Sequence, residues 1–98
     1  MEHRDFYRAL TDLKGGKPEP LHETMAVLSY EVGRMMEQAM YMHWEGREPV
    51  RMGFFKSELM DAIAQLILIS QAVGADWDEM INMGIEKAME RFTGQEHK

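Results

Sequence analysis

Two long stretches of this chain repeat apolar residues at helical spacing, and only a short segment containing Gly and Pro separates them. In the first, over about residues 22–44, Met25, Leu28, Val32, Met35, Met36, Ala39 and Met42 recur every three or four positions. That is the period of a helix with one apolar face. In the second, over about residues 53–73, Leu59, Ile63, Leu66, Ile67 and Ser70 fall on the inner side. Glu45-Gly46-Arg47-Glu48-Pro49 closes the first stretch and makes a loop. Two long helices joined over so short a distance have to fold back on each other. The sequence therefore predicts an all-α domain built on an antiparallel pair.

Shorter helices flank that pair. One is expected over about residues 4–13, with Phe6, Leu10 and Leu13 on one side. Lys14-Gly15-Gly16-Lys17-Pro18-Glu19-Pro20 ends it, because two glycines and two prolines do not continue a helix. Gly74 is a natural stop for the third helix. Asp76-Trp77-Asp78-Glu79 opens a fourth, with Asp76 as N-cap and Glu79 in the reach-back position of a capping box. It runs through Met80, Met83, Ile85, Met89 and Phe92 to a polar tail at residues 93–98. No stretch alternates as a strand would, and there is no internal repeat. The 98 residues read as a single domain, with residues 1–20 as a short helix and linker.

A domain of this size has a modest core, burying about 60–65% of its extended surface. Its 11 methionines suit irregular cores and adaptable interfaces. An isolated pair of long helices leaves wide apolar faces. A four-helix core completed in a homodimer or homotetramer is expected, with the functional site near the subunit interface.

Charge and composition exclude several function classes. A net charge of −6 without a cluster of Lys and Arg argues against nucleic acid as a partner. The absence of cysteine removes disulfides, thiol catalysis and thiolate metal sites. The longest apolar run, residues 66–70 with 62–64 before it, is too short to span a bilayer, and no segment resembles a signal peptide. A soluble cytoplasmic protein with no membrane partner is the expectation. Gly15-Gly16-Lys17 lacks the spacing of a phosphate loop, and no Ser-His-Asp or Cys-His constellation is present.

The chemistry that remains lies in carboxylates. Glu58-Leu59-Met60-Asp61 places two acidic groups three residues apart on one helix face. Glu31-Val32-Gly33-Arg34 places an acid and an arginine with the same spacing one helix earlier. Magnesium takes oxygen ligands, keeps several waters and shares phosphate oxygens with its substrate. A few carboxylates aimed at one point from rigid elements are enough to hold it. Asp61 is also followed by one of the most apolar stretches of the chain, Ala62 to Ile69, where an unpaired carboxylate is costly. A solvated helix face explains an E-x-x-D pair equally well when the pair stands alone.

These motifs resemble those of the MazG-like, all-α nucleoside triphosphate pyrophosphohydrolases. That family carries E-x-x-E on one helix and E-x-x-D on the next, and uses magnesium to hydrolyse nucleoside triphosphates to monophosphate and pyrophosphate. Glu31-Val32-Gly33 is similar to the opening of the first motif, and Glu58-Leu59-Met60-Asp61 to the whole of the second. Ala75-Asp76-Trp77 resembles the turn into the last helix, and Lys87 and Arg91-Phe92 the basic positions that close the fold. The likeness covers roughly residues 24–92. It implies a nucleotide substrate, with Glu31, Glu58 and Asp61 as catalytic ligands of magnesium or manganese. Arg34, Lys87 and Arg91 are then contacts to substrate phosphate.

The chain departs from the pattern at Arg34, which stands where the family has its second glutamate. Ile85 also stands where the family often has asparagine, Asn82 lying one turn earlier. A guanidinium does not ligate a cation and is expected to pair with Glu31 or Glu58. Three readings stay open. A cation is held by Glu31, Glu58 and Asp61 while Arg34 grips phosphate; Glu37 substitutes in part; or hydrolysis has been lost and the fold kept as an oligomeric ligand- or protein-binding module.

Overall fold

The computed structural model describes residues 2–13, 15–17 and 19–94. Lys14 and Pro18 of the expected linker, and the tail beyond Gly94, lie outside the described residues. Four helices follow in order: α1 (His3–Leu13), α2 (Leu21–Glu45), α3 (Pro49–Ala72) and α4 (Trp77–Thr93). Among the described residues there is no strand, and the all-α expectation holds.

α2 and α3, of 25 and 24 residues, form an antiparallel hairpin about 36 Å long. Most of the contact between helices lies between these two. The connection is shorter than expected. α3 begins at Pro49, so the segment before Gly53 is helical rather than loop. Proline at the first helical position has a favourable φ and lacks an N–H that would go unpaired there anyway. Only Gly46-Arg47-Glu48 is left to turn the chain, with Gly46 at φ +93°, a conformation that favours glycine.

α3 ends as expected. Gly74 sits at φ +74°, its N–H bonds the Gln71 carbonyl at 3.1 Å, and the Ala75 N–H bonds that of Ser70 at 2.8 Å. These two bonds satisfy carbonyls that the helix end would otherwise orphan. The Asp76 carboxylate then accepts from the Glu79 N–H at 3.0 Å and caps α4. α4 leaves α3 through a bend of 107° and packs on it only lightly. No single helix among the described residues is long and apolar enough to cross a membrane; α3 and α4 reach that length and composition only together, across this bend.

The core is small. Ala62 and Leu68 are the buried apolar residues, beside the buried polar residues Thr24, Gln38 and Ser70. Leu68 lies where α1 meets α3, with Tyr7, Leu10 and Thr24 around it. Thr24 Oγ1 donates to Glu19 Oε1 at 2.9 Å, and Ser70 Oγ donates to the Ile67 carbonyl at 2.8 Å. Two sequence expectations are corrected. Leu59, Ile63 and Leu66, assigned to the inner side of α3, are each 41% exposed, and Leu13 of α1 is open to solvent. Their spacing is helical, but none of the described helices covers them. The radius of gyration is 16.4 Å, against about 13 Å for a compact domain of this length.

Candidate carboxylate site

The antiparallel course of the hairpin sets which positions meet. Near the closed end Arg51 of α3 reaches Glu45 at 3.5 Å, and its guanidinium lies 4.2 Å from the centre of the Tyr41 ring. Two to three turns further along, the same pairing brings Arg34 of α2 to Glu58 of α3. Arg34 Nε donates to Glu58 Oε1 at 2.8 Å, and its NH1 donates to the Tyr30 hydroxyl at 3.2 Å. The guanidinium also stands 5.7 Å from the centre of the Tyr30 ring. The arginine is thus held by two residues, Glu58 and Tyr30.

Glu31 and Asp61 complete the cluster. Glu31, Glu58 and Asp61 each offer an oxygen, and the three oxygens lie within 4.8 Å of one another. Glu31 and Glu58 are partly buried, and Asp61 is exposed. The helix spacing explains the convergence: Glu31 is one turn from Arg34 and Glu58 one turn from Asp61, so both pairs point to the same side of the hairpin.

Carboxylates this close do not all ionise readily. Hydrogen bonding to Glu58 pushes the Glu31 carboxyl up to about 6, and burial and the nearby negative charges add to the effect. Glu58 is pushed down, first by the hydrogen bond from Glu31 and then by Arg34. Glu58 and Tyr30 raise the Arg34 guanidinium further above its ordinary value. Glu31 therefore holds its proton to a higher pH than a free carboxyl does. Its Oε2 is buried with no hydrogen-bond partner. That oxygen is the clearest unmet demand in the cluster, and a cation would meet it.

Four of the six residues expected from sequence, Glu31, Arg34, Glu58 and Asp61, come together. Lys87 and Arg91 do not join them within one chain. Both are exposed on α4 and make no ion pair or hydrogen bond among the described residues. Lys87 lies about 15 Å along a helix that has turned away from α3. It lines a shallow groove with Met80, Met83, Gly84, Glu86 and Glu90, all of them α4 residues. Tyr30 was missed by the sequence reading. Its spacing of four from Arg34, which puts both on one face of the helix, was the available signal.

A second group, His3, Asp76 and Asp78, also brings three possible ligand atoms within 4.8 Å of one another. Here the central carboxylate is already used. Asp76 caps α4 and takes the Arg4 guanidinium at 2.8 Å. A groove of about 560 Å³ lies at the closed end of the hairpin between Ala39, Met42, Met52, Phe55 and the basic His43, Arg47 and Lys56. None of the three carboxylates lines it. Trp44, at the end of α2, is exposed and meets Tyr41 edge-on with ring centres 6.3 Å apart. No family model, curated protein or solved structure matches the chain.

Proposed function

We propose that this chain is a MazG-like pyrophosphohydrolase that cleaves a nucleoside triphosphate to monophosphate and pyrophosphate, with magnesium or manganese held by Glu31, Glu58 and Asp61. One observation carries the reading: three carboxylates from two helices converge within 4.8 Å, and one presents a buried oxygen with no partner. An all-oxygen donor set open on one side suits a hard cation that is shared with phosphate. When bound, such a cation offsets phosphate charge and supplies a nucleophilic water at neutral pH.

The chain's own residues have definite tasks in this reading. To hold the cation, Glu31 would be in its ionised form and Glu58 would have to release Arg34. The released guanidinium is then free to grip a phosphate through two N–H bonds, while Tyr30 limits how far it swings. Asp61, the exposed member, faces the incoming substrate.

The test is pyrophosphate release from a panel of ribo- and deoxyribonucleoside triphosphates with magnesium and with manganese. Release from at least one substrate, dependent on metal and absent from Asp61→Ala, is the expected result. A folded protein that is silent across the panel overturns the hydrolase reading.

The ion pair between Arg34 and Glu58 favours one alternative, a binding module that has lost hydrolysis, because it occupies an oxygen the cation needs. Arg34→Glu separates the two. In a working enzyme the change damages turnover; in a degenerate one it raises affinity for manganese and leaves no turnover to damage.

A further inference from the structure

The groove at the closed end of the hairpin stands apart from the carboxylate cluster, and its lining runs against the balance of the chain. The sequence carries 17 acidic and 11 basic residues, yet no acid lines the groove. Half-buried Met42, Met52 and Phe55 form its floor, with the exposed His43, Arg47 and Lys56 around them. Among the described residues these three make no ion pair or hydrogen bond. Glu45, two residues after His43, is taken by Arg51 at 3.5 Å. Glu48, which follows Arg47 in the turn, does not line the groove.

We infer that this groove binds a free amphiphile with one anionic head on an unbranched apolar body, of which a fatty acid is the simplest case. Charge selects the head. Arg47 and Lys56 are cations without partners and His43 adds an N–H donor, so an anion among them gains charge-assisted hydrogen bonds. The floor selects the body. Methionine side chains mould to a flexible chain, and the lining has no amide, hydroxyl or carboxylate side chain to read the edge of a heterocycle. The volume of about 560 Å³ falls within the roughly 300–1,000 Å³ of small-molecule sites. A net charge of −6 opposes approach to an anionic bilayer, and a concave site takes one molecule at a time. Amphiphile free in solution is therefore the occupant. The inference does not depend on the proposed hydrolysis, because none of Glu31, Glu58 and Asp61 lines the groove.

Calorimetric titration with dodecanoate and with dodecyl phosphate, each below its micelle concentration, is expected to give saturable one-to-one binding. The tighter of the two identifies the head group. Acetate, which has the head alone, and dodecyltrimethylammonium, which has the body with the opposite charge, are expected not to bind. Arg47→Glu combined with Lys56→Glu is expected to weaken dodecanoate by about tenfold or more, with unchanged helical circular dichroism. Arg8→Glu combined with Lys17→Glu makes the same change in net charge at exposed cations outside the groove, and is expected to leave the affinity unaltered. No saturable binding, equal binding of the cationic amphiphile, or equal weakening by the two pairs of changes overturns the proposal. Binding to anionic phospholipid vesicles alone overturns it in favour of a membrane. Loss of dodecanoate binding as protein concentration and sedimentation coefficient rise together overturns it in favour of a second copy of the chain. EDTA present throughout keeps cations off the carboxylates, so failure of this reading and failure of the hydrolase reading are separate results.

Discussion

At the start of α4, Asp76 stands with His3 and Asp78; midway along the hairpin, Glu31 stands with Glu58 and Asp61. Each group carries one arginine bonded at 2.8 Å to one carboxylate. Counted by charge and spacing, they are near equals. They differ in how far the fold occupies their carboxylates. Asp76 is pushed below the ordinary carboxylate range, first by Arg4 and then by the Glu79 N–H, and both bonds serve the fold. They tie α1 to the cap of α4. In the hairpin, Arg34 pairs with one oxygen of Glu58, the Glu31 carboxyl is pushed up to about 6, and Glu31 Oε2 is buried without a hydrogen-bond partner. His3 Nε2 is buried without one too, so the contrast lies in the carboxylates: the fold occupies both oxygens of Asp76, whereas Glu31 keeps one that a cation could take.

The sharpest way to break this contrast is to remove one exposed acid from each group. Asp61→Ala is expected to lower turnover by at least about 100-fold with unchanged helical circular dichroism, and Asp78→Ala to leave turnover unaltered. Equal effects of the two changes would remove the distinction.

The next effect depends on pH. The folded Glu31 carboxyl lies above its ordinary value of 4.5, at about 6. The stability its proton contributes is complete below 4.5 and is lost as pH rises through about 6. Glu58 acts in the opposite sense, contributing above its ordinary value and losing that contribution as pH falls. A cation that displaces the Glu31 proton therefore binds more weakly below pH 6, by up to about tenfold per unit, and evenly above it. Manganese titration between pH 5 and 7.5 reads this slope. A flat profile would take Glu31 out of the ligand set.

The smallest effect belongs to the Asp76 group. Asp76→Ala removes a helix cap and the Arg4 pair, and is expected to lower the melting temperature by a few degrees. Manganese affinity should stay within error of the unaltered chain. A large change in affinity would mean that the two clusters communicate.

The sequence disclosed the hairpin because Met25, Leu28, Val32, Met35, Met36, Ala39 and Met42 keep a helical period through most of α2. It disclosed Gly74 and Asp76 because helix stops and caps depend on local chemistry. It did not disclose the start of α3, since Pro49 reads as a breaker from one side and as an initiator from the other. Leu59 and Ile63 were assigned to an inner side because periodicity says which residues share a face, not what covers it. In the site, the three carboxylates followed from spacing, and Arg34 paired with one of the two partners expected for it. Lys87 was assigned by resemblance alone, and the bend after α3 carries it elsewhere. That bend arises in the tertiary structure and leaves no mark on spacing.

The three-residue connection Gly46-Arg47-Glu48 also bears on how fast the protein assembles. The contacts beside it, Arg51 with Glu45 and with Gln38, join residues close in sequence, and such local contacts form within microseconds. From there the two helices zip toward their open end, bringing Glu31 to Asp61 midway. A finished hairpin still has one apolar face in water. Its closure is expected to appear in refolding as a fast phase indifferent to dilution.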